Sequence, residues 1–490
     1  MSSKRLSRLG ALAALLLMLT TLWTPGPASA VDVADAGPTA PNAATTADAD
    51  KTGAATGALL SDAASSDRRV VLILAPFLRW EDIEATTTPQ LWEAARTGAV
   101  GDINARSRVK EEDGAPSLAE GVLTISSGAW PYVDAVAYAA FEGSELFGYT
   151  KVSSAYKRIL SGNMEDDDIA YLGLPRTVAA NAGNSFTVIP GTLGSAIEAA
   201  GGVTAAIGNS DLGYSTDVQR YLRPAALAAM NESGFVHYGA ISPELLKENS
   251  EMPYGVQTDL EAMESEMALV ADELAPAAPG LLVVDPGDGY RARTAAADAV
   301  ASVADEQWLF SLGVLDDTYG LARQYFPEAT IIVASQASRS WTLEREGFGP
   351  LLVTGPGISS GLLSSDSTHR VGLVTNLDLT ATILALCGVD QPVQVLGTQL
   401  HLATADSEGP LTPGRLPTGA AADSDLALAS RLDLLKKMND TAISVEVMRP
   451  VIMSTTVWAA VAVLAAGALV VTFAERRWRS LTIGILKTAL

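Results

Sequence analysis

Arg69-Val70-Val71-Leu72-Ile73-Leu74-Ala75-Pro76-Phe77-Leu78-Arg79-Trp80 opens on the second of two arginines, runs through apolar residues rich in β-branched types, and stops at a proline. An apolar run of this kind, followed by a helix pattern, predicts a fully buried central strand of a parallel sheet. In open α/β sheets ligands sit just beyond the carboxyl ends of the strands. Ala75 to Arg79 should therefore face the binding crevice, and two of these positions hold Pro76 and Phe77, which can neither bind a metal nor move a proton.

Outward from this strand the pattern alternates. Thr88 is a suitable N-cap, Pro89 fits the first helical position and Gly98 the position past the end. A strand is expected over Ala99 to Ala105. Ser117-Leu118-Ala119-Glu120 has the form of a capping box and opens a helix ending near Gly128. Ala135 to Thr177 gives no clear period, and its acidic run Glu165-Asp166-Asp167-Asp168 reads as a solvated loop. Further on, helices are expected over Gly191–Ala200, Asp259–Leu274, Thr294–Leu312, Asp317–Tyr325 and Asn376–Cys387, with strands over Val203–Ile207, Leu281–Val284, Thr330–Ala334 and Leu351–Thr354. Repeated β then α means an α/β fold, a mostly parallel sheet covered by helices on both faces.

The two ends set the compartment. Lys4, Arg5 and Arg8 precede an apolar run from Leu9 to Trp23 and then Ala28-Ser29-Ala30, the form of a secretory signal peptide over residues 1–30. Residues 31–67, rich in Ala, Thr, Asp and Gly, read as a disordered spacer. The folded body spans 68–401, a linker 402–423, and a juxtamembrane helix 424–449 capped by Ser424. Val451 to Phe473 is uncharged and long enough to span a bilayer, and Glu475, Arg476, Arg477 and Arg479 follow it. By the positive-inside rule a single-pass span over 451–474 leaves the C-terminus cytoplasmic and the bulk of the chain extracellular. Residues 475–490 are a cytoplasmic tail or the start of a second span.

Composition narrows the function. A net charge of −23 over 490 residues argues against nucleic acid as a partner. The single cysteine, Cys387, lies in an apolar run and reads as core filling rather than a reactive thiol. The three histidines, His237, His369 and His401, stand at no ligand spacing from an acid.

Four pieces of the chain together resemble the alkaline-phosphatase-like superfamily, which includes phosphodiesterases, sulfatases and cofactor-independent phosphoglycerate mutases. They are Val70 to Trp80 with the helix after it, Pro116-Ser117 leading to Gly128-Ala129-Trp130-Pro131, Leu282-Val283-Val284-Asp285 with Asp288, and Pro350 to Ile358 followed by Val374 to Leu384 and Gly388-Val389. The last is the most specific, and the likeness covers the whole exported body.

The resemblance implies a site for two divalent metals, built from aspartates and histidines at strand ends, with a nucleophilic Ser or Thr at a helix start. Here the sequence departs from the pattern. Pro76 and Phe77 stand where an Asp-Gly follows the first strand, and Ser335-Gln336 where an Asp-His follows a later one. The expected cofactor is therefore none, with one divalent cation (zinc, manganese or magnesium) as the alternative.

The remaining candidates are Ser117 as nucleophile, Asp285, Asp288 and Asp211 as oxygen ligands, and Arg79 and Arg106 as anion-binding groups. Each has a plainer role open to it: Ser117 as a helix cap, and the aspartates as turn formers. The reading is a membrane-anchored surface pseudoenzyme with a decayed metal site, partnered by an envelope polymer or a neighbouring membrane protein. A phosphoester or sulfoester hydrolase with a reduced site, or an extracellular cap of a multi-helix membrane protein, are the alternatives.

Overall fold

In the computed structural model the described residues are 57–58, 67–105, 118–133, 140–214, 221–276, 278–337, 347–403 and 425–473. The signal-peptide reading of residues 1–30 falls outside them. So do Arg106, Ser117, residues 404–423 of the linker and the tail 475–490.

The opening stretch forms the strand Arg69–Leu74, buried at all six positions. Parallel neighbours on both sides, Gly280–Asp285 and Thr330–Ala334, leave it no solvent face, which is why its residues do not alternate. The sheet has eleven strands. In spatial order they are Gly57–Ala58, His401–Leu402, Gly361–Ser364, Ala99–Asn104, Gly349–Thr354, Thr330–Ala334, Arg69–Leu74, Gly280–Asp285, Val203–Gly208 and Tyr238–Ala240, with Leu373–Thr375 paired to Ala99–Asn104. Gly349–Thr354 runs antiparallel between two strands that share the central direction. The carboxyl ends of the parallel strands thus lie along one edge.

Helices cover both faces. Leu118–Ser127, Thr192–Ala199, Pro224–Ala229 and Asn376–Leu386 pack together on one; Pro89–Thr97, Leu260–Glu273, Asp288–Ala295 and Ala301–Tyr325 pack on the other. The Asn376–Leu386 helix starts on a capping box between Thr375 and Asp378. Cys387 is buried in the core, and burial pushes its thiol up to about 12.

Three expectations change. The helices read as Thr294–Leu312 and Asp317–Tyr325 are instead Asp288–Ala295 and one unbroken helix, Ala301–Tyr325. Asp316 looked like part of a break, but its carboxylate caps a different helix, accepting the N–H groups of Gln90 (3.2 Å) and Leu91 (2.8 Å). The stretch without a clear period holds two strands, Ala140–Glu142 and Ile169–Tyr171, of a separate antiparallel sheet that Phe235–Val236 completes, with its own core around Phe141 and Tyr156. Within the stretch read as spacer, Gly57–Ala58 pairs with His401–Leu402, an association of main-chain groups that asks nothing of side chains.

The juxtamembrane and apolar segments are one continuous helix, Asp425–Phe473, containing Pro450. Its first half seats Leu428, Leu432 and Leu435 in the core, while Val451, Ile452, Val457, Trp458 and Leu464 stand exposed. It is the one helix among the described residues long and apolar enough to cross a membrane.

Candidate functional site

The carboxyl edge carries the loops after four strands. On one flank the chain leaves Arg69–Leu74 into Ala75-Pro76-Phe77. Phe77 has φ of 66°, a left-handed conformation that glycine adopts freely and phenylalanine rarely. Its N–H donates to Ala337 O (2.6 Å) and its ring stacks on Tyr290 at 6.2 Å, so packing holds it there. Leu74, Pro76, Gly287, Tyr290 and Trp308 leave a cavity of only ≈ 20 Å³ between the two loops, room for about one water. Gln336, after Thr330–Ala334, is buried, and its amide has no hydrogen-bond partner among the described residues.

The other flank is charged and fully enclosed. Asp211 follows Val203–Gly208, and its two oxygens are both engaged: Oδ1 accepts Leu222 N–H (2.7 Å), Oδ2 accepts Arg223 Nη2 (3.0 Å) and Nε (3.2 Å). Arg223 spends its remaining donors on Glu145 (2.5 and 2.9 Å) and Ala140 O (3.0 Å), with its guanidinium over Tyr221 at 4.7 Å. Burial alone would lower the arginine's pKa; Asp211 and Glu145 more than offset this and hold it above its ordinary value.

Asp285 closes Gly280–Asp285. Its Oδ2 accepts Ser210 Oγ–H (2.7 Å) and its Oδ1 accepts Gly287 N–H (3.1 Å). Burial pushes its carboxyl up to about 7 against the opposing pull of Ser210 and Arg291. Asp288, three residues on, pairs with Arg291 Nη2 at 3.1 Å and accepts Thr258 N–H at 3.2 Å. Arg291 also donates to Asn209 O (3.1 Å), Thr258 Oγ1 (2.9 Å) and Pro286 O (3.3 Å), tying the two loops together.

Asp211, Asp285 and Asp288 are therefore brought to adjoining loops, with Ser210 and Arg291 between them. Their oxygens are occupied by N–H and O–H donors and by two guanidinium groups, and Asp285 is inclined to keep its proton. As a donor set this does not fit a divalent cation, which needs several free anionic or carbonyl oxygens. No group of three or more His, Cys, Asp or Glu side chains among the described residues could hold a metal. His237 and His369 are exposed and His401 half-buried, on separate elements.

Arg79 is bound to Asp82, with Nη2 2.5 Å from Oδ1 and Nε 3.0 Å from Oδ2, and its ion pair is with that residue rather than with the three aspartates. Ser117 and Arg106 lie outside the described residues. Glu120, the partner expected for Ser117 in the capping box, is buried and accepts Val133 N–H at 3.3 Å.

Arg223 and Arg291 were not among the sequence candidates. Each had a trace in the sequence: Arg223 directly precedes the wholly apolar Pro224–Ala229, and Arg291 stands three residues after Asp288 on one helix face.

No protein-family model and no curated protein matches the chain. Among solved structures it is similar to an alkaline phosphatase from the Antarctic bacterium TAB5, at 13% identity over 67% of this chain and 100% of that one, TM-score 0.36. It is also similar to Ps i-CgsB, solved in complex with k-i-k-neocarrahexaose, at 14% identity over 68% of this chain and 75% of that one, TM-score 0.37. A third is a phosphonate monoester hydrolase from Silicibacter pomeroyi, at 12% identity over 68% of this chain and 75% of that one, TM-score 0.34.

Proposed function

We propose that this is a membrane-tethered surface domain of alkaline-phosphatase-like fold that binds or scaffolds without catalysis. Arg223 and Arg291 serve as the internal cations where a working relative would hold metal ions. The observation that carries the reading is the state of the three strand-end aspartates: Asp211 and Asp288 are ion-paired with buried arginines, and Asp285 is bonded to Ser210 and Gly287. A metal ion at these carboxylates would bring a second positive charge against the buried guanidinium groups and would have to displace some of their hydrogen bonds, which costs several kcal/mol. Its partner is a component of the cell envelope, an extracellular polymer or a neighbouring membrane protein. The exposed apolar helix beyond Pro450 supports the tether.

One observation favours a retained hydrolase: Asp285, with a pKa near 7, lies 2.7 Å from the Ser210 hydroxyl, a base beside a potential nucleophile. Both groups are wholly buried, so substrate would first have to open the loops.

The deciding experiment is elemental analysis of the purified full-length protein together with turnover of aryl phosphate, phosphodiester and sulfate esters. The expected result is no stoichiometric zinc, manganese or magnesium and no turnover. Bound metal with activity abolished by Asp211→Ala or Ser117→Ala, in a variant that still folds, would overturn the reading.

A further inference from the structure

We propose that the carboxyl edge of the sheet faces the bilayer, fixed in that pose by the long C-terminal helix, so that whatever the crevice engages is presented from the membrane. This rests on the membrane tether proposed above. The direction comes from how the helix climbs the Ala99–Asn104 strand. Near its start, Arg431 Nη2 donates to Ala95 O (3.2 Å) and Arg96 O (3.0 Å), just before the strand begins.

One turn later Leu435 meets Gly372, where a Cβ would lie only 2.9 Å from Leu435 Cδ2. The carbonyl of Gly372 accepts the Asp102 N–H at 2.7 Å, in the middle of the strand. A further turn on, Asn439 Oδ1 accepts Phe348 N–H at 2.7 Å, and the next residue, Gly349, is paired with Ile103 near the strand's end. Ile443 then lies against Gly347. The helix therefore runs parallel to Ala99–Asn104 and leaves the body on the carboxyl side.

The rise from Asn439 to Val451 is about 18 Å, so the rim of the crevice stands within roughly that distance of the apolar span. Pro450 removes one helical hydrogen bond at the junction and can tilt the span; a proline kink does not reverse a helix. The seat itself is firm. Leu428, Leu432, Leu435 and Arg431 are all buried, and no glycine occurs between Asp425 and Ala466.

The pose can be read by energy transfer from a dye on the full-length protein in vesicles to acceptor-labelled lipid headgroups. Three single substitutions carry the dye: Asp366→Cys and Tyr214→Cys, exposed beyond the carboxyl ends of Gly361–Ser364 and Val203–Gly208, and Ala200→Cys, exposed at the opposite edge. The native Cys387 is buried and stays unlabelled. Strands of roughly 20 Å separate the two edges, so transfer from positions 366 and 214 should exceed that from 200 about twofold.

A six-residue Gly-Ser insertion between Ser444 and Val445 should equalise the three. Equal or reversed transfer in the uninserted protein would overturn the pose while leaving the tether intact. No transfer from any position, with the protein absent from the vesicles, would overturn the tether and the pose together.

Discussion

The two flanks of the crevice close it by opposite means. On the Phe77 flank no charged side chain lines the small cavity between the loops, and the Phe77 ring stacks on Tyr290. Around Asp211 and Asp288 the charges remain, and the buried Arg223 and Arg291 neutralise them. Removing a charge leaves nothing to go unpaired, so the first flank tolerates change by ordinary packing rules. Pairing a buried charge makes every partner indispensable, and the second flank should fail abruptly when one member is lost.

The sharpest way to break this contrast is Arg223→Met. It strands Asp211 and Glu145, and unfolding by denaturant should register a loss of about 3–5 kcal/mol. Replacing Asp211, Glu145 and Arg223 together by apolar residues of similar volume should recover most of that loss. A single substitution as mild as a surface change would show that the network contributes little.

On the aromatic flank, Phe77→Ala should cost about 3 kcal/mol through lost burial. Phe77→Gly should cost about 1 kcal/mol less than Phe77→Ala, inverting the usual order, because the backbone there is left-handed. Chemical denaturation of the two variants side by side checks the sign.

Asp285 tests the charged flank by pH. Its folded pKa is raised to about 7, so the folded state holds the proton more tightly than the unfolded chain. The associated stability is present below the ordinary carboxylate range and is lost as pH rises through about 7. Asp285→Asn keeps an acceptor for the Gly287 N–H, and its amide N–H can donate to the Ser210 oxygen in place of the bond the hydroxyl now donates. It should be near neutral at pH 5 and stabilising by about 2 kcal/mol at pH 8, with thermal melts at the two pH values as the readout. A wild-type melting temperature flat across this interval would contradict it.

The smallest effect belongs to the exposed pair between Lys436 and Glu81, 3.7 Å apart, which joins the long helix to the loop after the first strand. Lys436→Ala should move stability by less than about 0.5 kcal/mol in salt.

Sequence alone gave a sound account of the sheet's centre, because strands with parallel neighbours on both sides must be apolar throughout, as Val70 to Leu74 and Leu281 to Val284 are. Asn376–Leu386 was equally legible, expected as a helix over Asn376–Cys387. The long Ala301–Tyr325 helix was not, since Asp316 carries a helix-start residue in mid-helix and spends it on a neighbour.

At the candidate site, Asp211, Asp285 and Asp288 were visible as strand-end acids. Their state was not, because it depends on partners distant in sequence: Arg223 reaches Glu145 across 78 positions, and Ser210 reaches Asp285 across 75. A pairing of that kind leaves no local period or spacing to read.

The unbroken helix from Asp425 to Phe473 has a mechanical consequence. With its apolar end in lipid, as proposed above, a rod clamped to a sheet at the other end works as a lever. If the span tilts by about 10°, a point roughly 40 Å along the rod swings by about 7 Å, enough to press the body against its surroundings or lift it clear. Torque on the span would reach the sheet through Arg431 and Asn439, with Pro450 as the one weak point between them.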